Sequence, residues 1–387
     1  MKILIINGGS TSIKYTLFKV SPLNGMEGEK IFSGVFQKKD TQFYFENTPI
    51  SERDFCYSFN YFFDFLITSE ILNDIIEIKK YGLRIVHGGK FLNKTVRINK
   101  TVLEKIKKTT KLAPLHNPVS LKIIKQIYKL NAKAKIYAVF DTSFHQTIPN
   151  YAHLYGLPQK ISKDYQIKKY GFHGIVCQAI LYDIEYFFDE LPTNIIICHL
   201  GGGCSVTAIK NGESMDTSMG FTPLSGVLMT TRSGDIDAGI ITYLKNELQI
   251  STKKVLQLLN QKSGLYGLTG FGDMKKIIQK AQKGNKNCLL AIDIFIYKIV
   301  KYIFTYYGVL QGLDVLVFSG GIGFGSAFIR KKIIKNLEIL GFLVEEKKNE
   351  NICENITDIS AKKSLGKTLV IRDDENQEII RQILKFS

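Results

Sequence analysis

Three times in this chain an apolar, β-type run stops at glycines: IINGGSTSIK at 5–14, ICHLGGGCSV at 197–206 and VFSGGIGFGS at 317–326. Glycine permits positive φ and lets a ligand approach the main chain. Successive bare N–H groups at such a turn form a nest for anions. One such turn is an ordinary hairpin. Three of them predict strands that each deliver bare backbone to something charged and bulky. At the first turn Ser10, Thr11 and Ser12 add hydroxyl donors, and Lys14 adds a positive charge.

The pattern repeats on a larger scale. Gly8-Gly9 and Gly202-Gly203 stand about half of the 387-residue chain apart, and the later stops RIVHGG and VFSGG also correspond. The length exceeds one ordinary core. Two β-rich domains are expected, each opening with a strand, a glycine turn and a second strand, with a ligand cleft between them. The boundary falls in the turn-prone TSFHQTIPN near 142–150. Apolar periodicity predicts helices over 57–78, 288–310 and 326–340, and a strand KIYAVFDTSF that ends at Asp141. Asn117 is placed to cap a helix with Pro118 in its first turn, and Asn211-Gly212 marks a hairpin.

Composition removes several classes. The net charge is +17, but only seven of the 52 basic residues are Arg, and the Lys are spread along the chain. Base readout leans on Arg clustered on one face, so no nucleic-acid partner is expected. The six Cys show no paired spacing of a zinc site, and read as reduced thiols of a reducing compartment. The N-terminus runs directly into KILIIN, and the most apolar stretch, 288–310, contains Asp293, Lys298 and Lys301. It reads as a buried helix with no membrane role. A cytoplasmic location is expected.

In a chain that uses Lys almost everywhere, Arg84 in LRIVHGG and Arg232 in TTRSGDID stand out. A guanidinium fork holds carboxylate or phosphate bidentately, and an ammonium does not. Five of the six His (His87, His116, His145, His173, His199) fall in short stretches rich in Gly, Pro or Asp. Asp141 ends a strand, and Asp216, Asp235 and Asp237 lie in a polar segment. Such carboxylates beside phosphate nests suit Mg²⁺, which takes one or two protein carboxylates together with substrate phosphates. Nest, metal, arginine clamps and an orienting group together describe phosphoryl transfer.

The stretches NGGSTSIK, RIVHGG, LAPLHNP, VFDTSFHQTIP, YGFHG, ICHLGGG, DTSMGFTPLSGVLMTTRSGDID, SGLYGLTG and FSGGIG stand in the order found in the acetate kinase family, from Asn7 to about Glu375. The sequence resembles that family. The resemblance implies two duplicated ribonuclease-H-like α/β domains of the actin/hexokinase/Hsp70 (ASKHA) type around a nucleotide cleft. The N-terminal domain would cover 1–145, with a closing helix 375–387 packed back on it, and the C-terminal domain 146–374 would carry the nucleotide site. It implies Mg²⁺-dependent (or Mn²⁺-dependent), reversible, in-line transfer of phosphate from ATP to acetate by a homodimer.

Residue by residue, Asn7 and Glu375 match positions tied to the metal. Ser10, Ser12 and Lys14 match the phosphate-side turn. Arg84 and Arg232 match the pair that holds the carboxylate and the transferring phosphoryl. Asp141 matches the catalytic Asp, and His173 the His that steadies the transition state. His116 and His199 match other active-site His positions. Gly201, Gly202, Gly203, Asp273, Gly320, Gly321, Ile322 and Gly323 match the nucleotide side. Val86, Leu115, Phe172 and Pro223 match the apolar wall around the acyl methyl group, which favours acetate over propionate.

The sequence departs from the family pattern chiefly on the nucleotide side. Cys177 stands in HGIVC for a second His, Gly202 in HLGGG for Asn, and Phe324 and Gly325 in GIGFG for Glu and Asn. Lys275 replaces an Arg, Ala238 a Pro, and Leu83 a His. Three alternatives follow: another short-chain acyl kinase such as a propionate kinase, a kinase with a different phosphoryl donor, and a non-enzymatic regulator that binds nucleotide or acetyl phosphate.

Overall fold

The computed structural model describes the chain except for Ser10, Thr11, Pro22–Asn24, Asp40, Leu115 and Ser387. The chain divides into two compact units, Met1–Phe144 with Asp374–Ser387, and His145–Asp373.

The N-terminal unit holds a sheet of β1 (Lys2–Gly8), β2 (Ser12–Lys19), β3 (Glu29–Lys39), β4 (Gln42–Phe45), β5 (Thr48–Ile50), β6 (Ile78–Ile85), β7 (Val96–Arg97) and β8 (Ile136–Phe140), in the order β5-β4-β3-β2-β1-β6-β8-β7. β1 through β5 form an antiparallel meander, β6 and β8 run parallel to β1, and β7 closes the edge antiparallel. The ILII run of β1 is continuously apolar because it is buried on both faces of the sheet. The core is rich in aromatics, with Tyr15 stacked on Phe62 at 4.9 Å. The helix Glu375–Lys385 returns to this unit, where Gln377 exchanges two hydrogen bonds with the backbone of Gly28.

The C-terminal unit repeats the plan. Its strands are β9 (Asn194–Leu200), β10 (Cys204–Lys210), β11 (Glu213–Thr217), β12 (Val315–Ser319), β13 (Ile356–Asp358) and β14 (Lys367–Ile371), in the order β11-β10-β9-β12-β14-β13. Again three antiparallel strands are followed by two parallel to the first and an antiparallel edge. Asn211 and Gly212 take φ of 50° and 78°, the left-handed pair that a two-residue hairpin between β10 and β11 requires. This is the duplicated α/β fold that the resemblance implies.

Several local expectations are corrected. The helix expected over 57–78 ends at Thr68. Glu70 turns left-handed, and Asp74 and Glu77 form a capping box that opens a short 3-10 turn, Ile75–Glu77. Polar punctuation there overrides an apolar pattern that continues through it. The helix expected over 326–340 is Ala327–Lys335 followed by a 3-10 turn, Glu338–Leu340. Asn117 does not cap. It is the first helical residue, and its buried amide donates to the carbonyl of His87 (2.9 Å) and to Thr109 Oγ1 (2.8 Å). The third glycine stop itself forms a short helix, Gly320–Gly325.

Candidate active site

The carboxyl ends of parallel strands gather ligands in α/β proteins. In the N-terminal unit, register sets Lys14, Asn7 and Arg84 in one row across β2, β1 and β6, and Asp141 follows β8 directly. Arg84 donates from Nε and Nη2 to the two oxygens of Asp141 at 2.7 and 2.6 Å. Its Nη1 donates to Asn7 Oδ1 at 3.0 Å and lies 3.5 Å from Glu375 Oε2, to which Asn7 Nδ2 donates at 2.9 Å. Burial works against the Arg84 charge, but the two carboxylates more than offset it and hold the guanidinium above its ordinary range. The expected residues Asn7, Arg84, Asp141 and Glu375 thus form one hydrogen-bonded cluster. Ser12 is half-buried at the start of β2, and Lys14 is exposed. Ser10 and Leu115 lie outside the described residues.

Val86 follows β6 and is buried. The next residue, His87, is also buried, and its Nδ1 accepts from the N–H of Gly89 at 2.9 Å. With Asn117 it braces this turn. His116 is the cap residue of the helix Asn117–Leu130. In the other unit His145 is a buried brace, with Nε2 donating to the carbonyl of Phe172 (2.9 Å) and Nδ1 bonded to Ser214.

In the C-terminal unit, His173 caps the helix Gly174–Phe188 in a left-handed conformation, φ 60°. Its Nδ1 lies 3.0 Å from Ser205 Oγ, and its ring meets that of His199 edge-on at 4.8 Å. His199 Nδ1 lies 3.0 Å from Ser319 Oγ and 3.7 Å from Asp373 Oδ1. A side chain on Gly203 would come within 3.2 Å of His173 Nε2 and 3.7 Å of Arg232 Nη1. His173, Arg232 and the glycine turn therefore adjoin. Arg232 also donates to the carbonyl of Pro223 at 2.9 Å, which fixes the loop that carries Pro223.

The same unit contains a cavity of about 790 Å³ lined by Gly201, Gly202, Asp273, Gly321 and Ile322 among others. Gly203, Gly320, Gly323 and His199 belong to the same segments without lining it. Asp273 Oδ1 accepts the N–H of Lys275 and so caps the helix Met274–Gln282. That helix adds Met274, Lys275, Ile278 and Gln279 to the wall. Their i, i+4 spacing after Gly272-Asp273 is the sequence signal that could have found them.

The other carboxylates expected near a metal are engaged within this unit, Asp216 on β11 and Asp235 and Asp237 in the segment that follows it. Asp216 pairs with Lys169. Asp235 accepts from the N–H of Gly226 (2.7 Å) and from Tyr302 Oη (2.5 Å). Asp237 accepts from the N–H of Gly239. Four of the thiols, Cys177, Cys198, Cys204 and Cys288, are buried. Cys177 lies 3.8 Å from Thr207 Oγ1, and burial pushes Cys204 up to about 12.

With this geometry in hand, comparison with known proteins is direct. The acetokinase family model matches residues 2–381. The chain belongs to the acetokinase family. Proteins named acetate kinase from Flavobacterium johnsoniae and Clostridium acetobutylicum are 39% and 38% identical to it, over 100% and 98% of this chain and 99% and 98% of their own. Among solved structures, a propionate kinase from Francisella tularensis superposes with a TM-score of 0.89 at 37% identity, covering 98% of both chains. The acetate kinase of Porphyromonas gingivalis gives 0.89 at 31% identity, covering 99% of both. This acetokinase is therefore a kinase with the two-domain fold of its family. No helix among the described residues is long and apolar enough to cross a membrane.

Proposed function

We propose that the chain catalyses the reversible transfer of the γ-phosphoryl group of ATP to acetate, giving ADP and acetyl phosphate. A carboxylate oxygen of acetate forms the new bond to phosphorus as the bond to the ADP oxygen breaks, in line. The observation that carries this reading is the Arg84–Asp141–Asn7–Glu375 cluster at the carboxyl edge of β1, β6 and β8. Phosphoryl transfer asks the protein mainly for position and for charge stabilisation.

Within the N-terminal unit, Arg84 holds the acetate carboxylate and Asp141 orients the Arg84 fork. Val86 and Leu115 limit the acyl chain. Asn7 and Glu375 offer hard amide and carboxylate oxygens, a donor set that suits Mg²⁺ and also Mn²⁺. An ion held by them would supply positive charge to neutralise the donor phosphates. Ser10, Ser12 and Lys14 serve the same phosphate side.

Within the C-terminal unit, Arg232 and His173 donate to the transferring phosphoryl. A Ser205 hydroxyl that donates to His173 Nδ1 leaves the ring proton on Nε2, where it can donate. The cavity takes the nucleoside. Its apolar wall of Met274, Ile278 and Ile322 suits a flat heterocycle and supports ATP over a donor without a base. Phe172 and Pro223 of this unit, like His116 of the N-terminal unit, are assigned to acetate by their match to the family positions.

A second copy of the chain is the fitting partner for the helix Lys286–Leu310. Leu290, Tyr297 and Phe304 stand seven residues apart on it and are 57%, 66% and 38% exposed. An apolar stripe of this kind marks a protein interface, and we assign it to a homodimer. The four buried thiols suit a reducing cytoplasm.

A second reading, propionate kinase, draws on the Francisella relative. One methylene is worth only about 1–3 kcal/mol of discrimination, so propionate is a poorer substrate of the same site. ADP release by purified protein with Mg²⁺ and ATP, followed with acetate or propionate added, tests both readings. Higher kcat/KM with acetate is expected. Release that no acid stimulates would overturn both.

A further inference from the structure

The helix Gly320–Gly325 reads GGIGFG, with glycine at four of six positions. Each interior glycine costs about 1 kcal/mol against alanine, and helices this short do not persist alone. Its shape is imposed from outside. At the N-terminus Gly320 sits at φ 73°, where a Cβ would lie 2.6 Å from the carbonyl oxygen of Leu200, and its N–H donates to Asp373 Oδ1 at 3.0 Å.

At the other end stands Arg330, one of the seven arginines, 1% exposed. Its Nη1 donates to the carbonyls of Gly323 (2.9 Å) and Phe324 (2.6 Å). Its Nε donates to Asn349 Oδ1 (2.7 Å) and its Nη2 to the Asn349 carbonyl. Asn349, 2% exposed, is itself fixed by donating to the carbonyl of Ala327 at 3.0 Å. All of these acceptors are neutral oxygens. Burial pushes the guanidinium down to about 10, so it stays charged at neutral pH. A buried cation that gives Nη1 to two carbonyls of one short helix, and Nε and Nη2 to Asn349, is a costly arrangement. The helix it holds supplies Gly321, Ile322 and Gly325, with Ser326, to the cavity wall.

We propose that Arg330, oriented by Asn349, is a positioning residue for the phosphoryl donor, holding the Gly320–Gly325 helix in the form that shapes the cavity. This rests on the reading of that cavity as the donor site. A lysine cannot reach two carbonyls and an asparagine at once. Arg330→Lys is therefore expected to raise KM for ATP about tenfold while KM for acetate stays within about twofold. Asn349→Ala is expected to act in the same direction by about threefold, and the double variant to match Arg330→Lys alone, because both act on one device.

Calorimetric titration with Mg²⁺-ADP reads the same effect without turnover, and Asn349→Ala keeps the test open if the arginine variant does not fold. Unchanged ADP affinity in the variants, equal shifts in both KM values, or additive effects would overturn the proposal. A wild-type protein that neither binds ADP nor turns over would instead overturn the donor-site reading beneath it.

Discussion

In the N-terminal unit the row across β2, β1 and β6 is Lys14, Asn7, Arg84, and in the C-terminal unit the matching row across β10, β9 and β12 is Ser205, His199, Ser319. In both, the central residue bonds its parallel neighbour at 3.0 Å, Arg84 to Asn7 in one and His199 with Ser319 in the other. In both, an aspartate follows the next parallel strand, Asp141 after β8 and Asp373 after β14. Asp141 is spent on an arginine fork, whereas Asp373 accepts the N–H of Gly320. One frame thus carries two kinds of surface. The first is ionic, and its charges hold one another. The second is built from hydroxyls, imidazoles and bare backbone. In the ionic half chemistry and stability are coupled. In the second half, where Arg232 donates to the Pro223 carbonyl and the Met229 sulfur, they are expected to separate.

The largest expected effect breaks the ionic half. Asp141→Ala leaves the Arg84 guanidinium without its bidentate partner, so the midpoint of urea unfolding should fall by the equivalent of about 3–5 kcal/mol. Acetate-dependent turnover should be lost with it. Intact stability would show that the pair is not structural.

Next is Arg232→Lys, expected to cost about 10²-fold in turnover because a point charge cannot replace the fork. Its unfolding midpoint should stay near that of the parent. Near-parental turnover would remove Arg232 from the mechanism. Val86→Ala should raise the propionate-to-acetate ratio of kcat/KM by about tenfold, in the range of one methylene. An unchanged ratio would place the acyl wall elsewhere. The smallest effect is expected from Ser319→Ala, which removes one neutral hydrogen bond from His199 and should cost about 1 kcal/mol. A loss as large as that of Asp141→Ala would erase the contrast between the two halves.

Much of the frame was legible because it rests on local rules. Apolar runs that stop at glycine give the parallel strands and their first hairpins, and Asn211-Gly212 gives a turn of fixed hand. The scarcity of arginine singles out Arg84 and Arg232. Applied evenly, the same argument points to Arg330, which sits inside the helix that follows the third glycine stop rather than in the stop itself. Its partner Asn349 lies 19 residues downstream, a pairing that tertiary packing alone reveals. Asn117 shows the same limit. Its position reads as a cap, but the amide is drawn to His87, 30 residues away. The GGIGFG helix was the least legible element, because its composition argues against a helix and the clamps at its ends impose one.

The central claim is phosphoryl transfer from a nucleotide to acetate. Purified protein should be incubated with Mg²⁺ and acetate, with ATP, GTP or pyrophosphate as donor, and acetyl phosphate trapped as its hydroxamate. Hydroxamate formed with ATP and dependent on acetate is the predicted result. No hydroxamate from a folded protein with any of the three donors would contradict the account.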